Sequence, residues 1–489
     1  MNYKTLVEAV AHAAQNLPDK TGLIEVETGL ALTYGEFWRL ARAFAQGLIL
    51  AGLEPGGRVV VHTEQRLAVI VAQYGIYLAG GVFVPIDANT APLRILELMR
   101  EVAAGLLVAP RNIPGHDAAY LALDAAMRDD AGPASGNVLF PDPEAVCDIF
   151  FTSGTTGKPK GVMLSYKNQY AASENVVAAV ELAGDDTVMV VQRLSRPGGV
   201  RSPGAAFIAG AAVIMKDGTL FADRLFDACA RYAPTILIAT PAHLAIPLGS
   251  APQEFAQCLK GLHACILISD ASPKRQKTML RDLLPHTRLF NSYGLTEAGY
   301  SSLFEFSRRP DCIGQGGKNT RMSLTDDQGK AMPCTSSDNP GRIALRGANV
   351  MRGYWKNPAL TAEVLREGLL LTADMGWMDE DGLIHFLGRR DDLFSVGGYK
   401  IAPREIEEAA QALPGIKACA CVPVPDAILG QVPKLFVVME AGAEFSQRKI
   451  LWTLRERLEL YKIPRSVEQR EELPKTISGE KINKREITV

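Results

Sequence analysis

The densest concentration of reactive side chains is Thr152-Ser-Gly-Thr-Thr-Gly-Lys-Pro-Lys-Gly161, directly after the apolar run Ile149–Phe151. A strand opening into glycine, hydroxyl and lysine residues can turn backbone N–H, O–H and ammonium groups onto phosphate oxygens. Thr152, Ser153, Gly154, Thr155, Thr156, Gly157, Lys158 and Lys160 are therefore candidate phosphate contacts. The string is not the P-loop of kinases and ATPases, which needs G-x-x-x-x-G-K-[ST]; Pro159 stands five residues after Gly154. With 52 Lys plus Arg against 54 Asp plus Glu, no overall field draws the chain to nucleic acid or an anionic membrane, so phosphate binding has to be local.

This string resembles the phosphate loop of the adenylate-forming superfamily, which holds acyl-CoA synthetases, adenylation domains of peptide synthetases and luciferases. Asn291-Ser-Tyr-Gly-Leu-Thr-Glu297 is similar to the family's segment in which, by the resemblance, Tyr293 stacks near adenine, Thr296 meets phosphate and Glu297 holds Mg²⁺, with Asn291 and Gly294 beside the nucleotide. An aromatic face suits a purine and a carboxylate suits a hard cation that bridges phosphates. Thr372-Ala-Asp-Met-Gly376 resembles T-G-D-x-G, which implies that Asp374 accepts from both ribose hydroxyls; an ionised carboxylate only accepts. Gly388-Arg-Arg-Asp-Asp392 is similar to the segment where Arg389 contacts ribose or phosphate and Asp391 is the domain hinge. Leu393–Glu407 looks like the family's small-domain hairpin and helix, in which Gly397, Gly398 and Tyr399 form a tunnel for a pantetheine thiol; glycines leave room for the backbone to lie against that arm. Gly81-Val-Phe-Val-Pro-Ile-Asp87 and Gly353-Tyr-Trp-Lys-Asn-Pro358 extend the resemblance over nearly the whole chain.

Three strings depart from the pattern. The family's terminal P-[KR]-T-x-[ST]-G-K reads Pro474-Lys-Thr-Ile-Ser-Gly-Glu-Lys481, with Glu480 where the catalytic lysine belongs; one inserted residue makes Lys481 that cation. In Gln192-Arg-Leu-Ser-Arg-Pro-Gly-Gly199, Arg196 replaces the histidine of F-H-x-x-G beside the acid pocket. Arginine prefers planar anions, which points to a substrate with a second anionic group, whereas pairing of Arg196 or Arg201 with a structural carboxylate or with the cofactor's phosphates is the plain alternative. Ser269-Asp270-Ala271 stands for a glycine-rich S-G-G-A stretch, and Asp270 there suits a substrate amino group instead. The pocket candidates are Arg196, Gly199, Thr240, Ser269 and Asp270.

The elements that must carry these residues alternate between amphipathic helical stretches (Tyr34–Ala51, Arg66–Ala79) and short apolar runs (Arg58–His62, Gly81–Pro85), an alternation that returns from Thr187 to Asn291. The expected fold class is α/β: a large N-terminal lobe of two parallel-type α/β sheets plus a small β-barrel after Pro340, then a small α+β C-terminal domain, which the resemblance implies is mobile. The expected domains are 1–390, binding ATP and acid, and 391–489. The eight cysteines are scattered without zinc-type spacing, and no stretch is apolar enough for a signal peptide or a bilayer span, so a cytoplasmic enzyme with free thiols is expected.

The resemblance implies ATP-dependent activation of a small-molecule carboxylic acid to an acyl-adenylate, with Thr152, Glu297 and Lys481 in catalysis, then transfer to a thiol. The acceptor is coenzyme A or the pantetheine of a separate acyl carrier protein. Two alternatives stand beside it: an adenylation enzyme loading an amino or aryl acid onto a carrier, and an ATP-binding pseudoenzyme impaired by Glu480.

Overall fold

The computed structural model describes the chain except residues 1–2, 64–65, 130–139, 153–158, 218–221, 270–271, 273, 308, 397–398, 427–428, 476–481 and 488–489. Its first sheet has seven strands in the order Gly353–Tyr354, Lys160–Ser165, Val146–Thr152, Val82–Asp87, Arg58–Thr63, Leu106–Ala109 and Ala119–Ala122. Pairing is parallel from Val146–Thr152 to the far edge and antiparallel through Lys160–Ser165 and Gly353–Tyr354. The second sheet has eight strands: Gly299–Glu305, Arg288–Leu295, Ala264–Leu267, Ile236–Ala239, Thr187–Val191, Ala212–Lys216, Thr21–Glu25 and Ala31–Thr33. Only its two edges are antiparallel. The parallel interiors follow from β-branched runs separated by helices, which need crossover connections.

Two helices seal the first sheet to the second. Helix Tyr34–Leu50 starts at Thr33, whose hydroxyl accepts the Glu36 N–H while the Glu36 carboxylate accepts the Thr33 N–H, a reciprocal cap that satisfies two otherwise orphaned donors. Helix Leu67–Leu78 is buried at every residue from Leu67 to Tyr77, so it presents no polar face and packs on both sides. Tyr74 of that helix meets Phe37 at 5.2 Å and Phe207 at 5.6 Å, both edge-on. Phe207 belongs to helix Pro197–Ala209, which lies against the second sheet, so the aromatic trio ties the two layers together.

The antiparallel segment expected after Pro340 begins earlier and is a five-stranded sheet: Thr320–Thr325, Gly341–Gly347 and Leu369–Met378 pair in a row, and Leu365–Arg366 and Ile384–Arg389 both pair with Leu369–Met378. Beyond it come hairpin Phe394–Val396/Tyr399–Ile401, helix Pro403–Gln411, and a three-stranded sheet of Ile416–Asp426, Gly430–Met439 and Ser466–Gln469. These pack around a hydrophobic core of their own, from Phe394 and Ile406 to Leu454 and Val467. The α/β architecture with a smaller C-terminal α+β part is the one expected, and element limits differ from the sequence reading by a few residues.

Candidate active site

Strand ends place the site. In parallel sheets ligands bind outside the carboxyl ends of the strands, and Thr152, Asp87, Thr240, Ser269 and Tyr293 all stand at or just beyond such ends. Thr152 and Lys160 are register partners across two neighbouring antiparallel strands, with the Thr152 hydroxyl 3.5 Å from the Lys160 carbonyl, so the glycine-rich string joins the ends of a hairpin. Ser153–Lys158 lie outside the described residues. The Lys160 ammonium sits 5.7 Å from the ring centre of Tyr354, and the Tyr354 hydroxyl donates to Glu297 Oε1 at 2.8 Å. Burial, then the Glu297 carboxylate, pushes the Tyr354 phenol far up, so it stays a donor. Three separate strings thereby meet: the hairpin's Lys160, Tyr354 paired opposite Val162, and Glu297.

Tyr293 is buried near the end of strand Arg288–Leu295, and its hydroxyl donates to Asp374 Oδ2 at 2.8 Å. Burial and that carboxylate raise the phenol well above its ordinary range. Asp374 faces Arg389 in register, and Thr372 Oγ1 accepts the Asp374 N–H at 3.0 Å. Tyr293, Asp374 and Arg389 are therefore brought together, with Phe386 tilted against Tyr293 at 6.2 Å. Register slips between Tyr293 and Gly294, where a Cβ would stand 2.0 Å from the Gly299 carbonyl oxygen, so only glycine fits that bulge. Asn291 is half-buried between Leu267 and Phe304 in the same sheet.

On the side expected to hold the acid, Arg196 is exposed and precedes helix Pro197–Ala209. A Cβ on Gly199 would lie 2.2 Å from the Arg193 carbonyl oxygen, which fixes glycine in that helix's first turn. Ser269 Oγ accepts from Gln192 Nε2 at 2.9 Å, and its φ of +72° is a left-handed conformation of the kind that favours glycine. Thr240 caps helix Pro241–Ser250, its hydroxyl bonded to His243 Nδ1 at 3.0 Å. Asp270 lies outside the described residues. Asp87 receives the Ser195 hydroxyl at 2.8 Å and Arg193 Nη1 at 3.3 Å. Burial opposes ionisation there, but the Asn89 N–H, the Ser195 hydroxyl and Arg193 together hold the carboxyl below its usual range.

Residues 10–355 match the model of the AMP-binding enzyme family, and residues 405–480 match that of the AMP-binding enzyme C-terminal domain. The chain belongs to the AMP-binding enzyme family. A feruloyl-CoA synthase of Amycolatopsis sp is 31% identical over 476 residues, covering 94% of either chain. A sulfoacetate–CoA ligase of Cupriavidus necator is 30% identical, over 98% of this chain and 96% of that one. The crystal structure of ATP-bound MatB from Rhodopseudomonas palustris superposes with a TM-score of 0.87 at 25% identity over 96% of each chain. This AMP-binding enzyme is accordingly an acid–thiol ligase of the AMP-forming type.

The C-terminal candidates are partly described. Asp391 lies in the 3-10 turn Arg390–Asp392, and the backbone of Tyr399 pairs with Val396 in the hairpin. Gly397, Gly398, Glu480 and Lys481 lie outside the described residues. The flanks of the terminal string are joined, however: Lys475 bridges Ile482, the Asn483 N–H donates to the Pro474 carbonyl at 2.7 Å, and Lys484 pairs with Glu407 at 2.6 Å.

Sequence reasoning missed Tyr354 on Glu297 and the Arg193–Asp87–Ser195 cluster, and it left Arg201 open between a structural carboxylate and the cofactor's phosphates; Arg201 is buried and turned inward onto Gln169 and two carbonyls. Its contacts are structural, but the acceptors are an amide oxygen and backbone carbonyls rather than the carboxylate expected. Gly81–Asp87 and Gly353–Pro358 were visible as family-like strings, but the side chains they meet come from distant segments. No helix among the described residues is long and apolar enough to cross a membrane.

Proposed function

We propose that this ligase works in two steps at one site, with residues 1–390 binding ATP and acid and residues 391–489 exchanging position between the steps. In the first step the substrate carboxylate oxygen attacks the α-phosphorus of ATP, an acyl–phosphate bond forms, and the bond to the pyrophosphate oxygen breaks. In the second, a thiolate attacks the acyl carbon and AMP leaves. Thr152, the string Ser153–Lys158 and Lys160 bind the phosphates; Tyr293 lies against adenine; Asp374 and Arg389 bind ribose; Lys481 neutralises charge between the carboxylate and the α-phosphate. Fixed cations and N–H groups act on such charge without reorganising.

The observation that carries this reading is the meeting of Lys160, Tyr354 and Glu297, with Glu297 four residues beyond Tyr293, whose hydroxyl is bonded to Asp374. A magnesium ion fits the same residues. Glu297 supplies one carboxylate held in orientation by Tyr354, and among the described residues no cluster of three or more His, Cys, Asp or Glu could hold a metal ion alone. One carboxylate plus phosphate oxygens is the way Mg²⁺ is commonly held, and there it supplies charge neutralisation.

Rotation about Asp391 withdraws Lys481 and brings Gly397, Gly398 and Tyr399 to the thiol. The acceptor is coenzyme A, a reading supported by the CoA-ligase activities of relatives matched over 94% or more of this chain. Pyrophosphate and AMP release across aliphatic, aryl, dicarboxylic, sulfonate-bearing and amino acids, with and without CoA, tests the reading. One acid class giving AMP, and a thioester only with CoA, supports it. Thioester formation only on a holo carrier protein would reassign the acceptor.

A further inference from the structure

A chain of buried polar side chains links the strand that enters the glycine-rich string to the turn that carries Thr296 and Glu297. Asp148, fully buried and four residues before Thr152, accepts from the Tyr77 hydroxyl at 2.7 Å and from Gln169 Nε2. Gln169 Oε1 in turn accepts from Arg201 Nε at 2.7 Å. The other face of the Arg201 guanidinium meets the turn: Nη2 donates to the Thr296 carbonyl at 3.0 Å, and Nη1 lies 3.5 Å from the Leu295 carbonyl. Arg201 is 3% exposed, so these bonds replace rather than supplement water.

The turn's remaining carbonyls are held from elsewhere. The Met351 N–H donates to the Glu297 carbonyl at 2.8 Å, and Asn349 Nδ2 donates to the Ala298 carbonyl. Gly299, at φ +59°, makes the space: a Cβ there would lie 3.2 Å from Arg201 Cζ and 2.6 Å from Ala172 Cβ. With four successive carbonyls bonded, the directions of the Thr296 and Glu297 side chains are set by the backbone. Lysine cannot substitute, because one ammonium does not reach Gln169 and both carbonyls in a plane as the rigid fork does.

We propose that Arg201 is a positioning residue for adenylate formation, fixing the Thr296–Glu297 turn against the phosphates in one frame with the strand that leads into the glycine-rich string. The inference rests on the reading of Thr296 and Glu297 given above. It acts on the step in which pyrophosphate departs and not on thioester formation from a finished adenylate.

The experiment uses the full-length chain with Arg201→Lys and Gln169→Met, the second keeping side-chain length while removing the anchor of the guanidinium. Pyrophosphate release is measured over a Mg²⁺ titration, and thioester formation is measured separately from a synthetic acyl-adenylate and CoA. Displacing a reacting group by about 1 Å costs roughly 100-fold, so Arg201→Lys is expected to lower the adenylation rate about 10- to 100-fold and to raise the Mg²⁺ concentration for half-maximal rate. Gln169→Met follows in the same direction with a smaller effect, and both retain thioester formation within about twofold. Equal losses in both half-reactions, or an unchanged Mg²⁺ dependence, overturn the inference while the wild type still makes AMP. A wild type that makes no AMP with any acid overturns the underlying reading instead.

Discussion

The bonds that hold the proposed nucleotide site and those that hold the C-terminal residues against the rest of the chain are made of different material. The site is braced by buried pairs, Tyr293 on Asp374, Tyr77 on Asp148, Arg201 on Gln169, where each donor has lost its water and depends on its partner. The C-terminal residues reach the large lobe through two exposed contacts, Arg275 with Glu440 at 3.1 Å and Tyr461 with Asp338 at 3.1 Å, and a half-buried one, Arg404 over the Phe386 ring at 4.9 Å. Exposed ion pairs contribute about 0–1 kcal/mol each. The site is built to stay fixed, whereas the C-terminal contacts can break and re-form cheaply, as the proposed exchange between two half-reactions requires.

The contrast breaks most visibly at Lys481. Lys481→Ala is expected to lower adenylation about 100- to 1,000-fold, as for loss of a group that stabilises transition-state charge, yet leave thioester formation from supplied adenylate intact. Glu480→Ala should leave both half-reactions unchanged. The reverse pattern would move the cation assignment and the register of the terminal string.

Within the braced region, Asp374→Ala removes the acceptor of the Tyr293 hydroxyl and the proposed ribose partner together. Its KM for ATP should rise about 10- to 100-fold, the equivalent of about 1.5–3 kcal/mol in lost charge-assisted bonds. Tyr293→Phe, which removes only the donor, should cost less; equal effects would mean that Asp374 serves Tyr293 alone.

Lys277 sharpens the boundary between the two regions. Its ammonium donates to the Pro310 carbonyl at 2.6 Å, but burial and then the positive charge of Arg404 push its pKa down to about 8 from 10.5. Below about 8 the folded protein holds a buried charge at a cost; between there and 10.5 the unfolded chain binds a proton that the folded one does not, so stability rises with pH. The melting temperature of wild type relative to Lys277→Met should therefore increase from pH 7 to pH 10, and Arg404→Ala should shrink that increase. A flat difference would remove Arg404 from the account. The smallest effect belongs to Glu440→Ala, expected to change stability by less than about 1 kcal/mol in chemical denaturation.

Much of this was legible in the chain, for reasons that differ by element. The strands Arg58–Thr63 and Thr187–Val191 announce themselves because burial on both faces demands unbroken β-branched runs. The strings at Thr152, Asn291 and Thr372 announce themselves because loop chemistry needs particular residue types at fixed spacing. Arg201 did not, because a buried guanidinium and a substrate-binding one have the same letter, and only the fold reveals Gln169 and the Thr296 carbonyl beside it. Tyr354 escaped similarly: its partner Glu297 lies 57 residues away and meets it through pairing of Gly353–Tyr354 with the strand after the glycine-rich string.

The central claim is that one site first makes an adenylate and then consumes it. Enzyme, MgATP and the acid that gives AMP would be mixed without CoA, the bound species identified by mass spectrometry, and CoA then added. The account predicts an acyl-adenylate with stoichiometric pyrophosphate before CoA, and its conversion to thioester and AMP afterwards. ADP and phosphate, or a thioester with no adenylate preceding it, would contradict it.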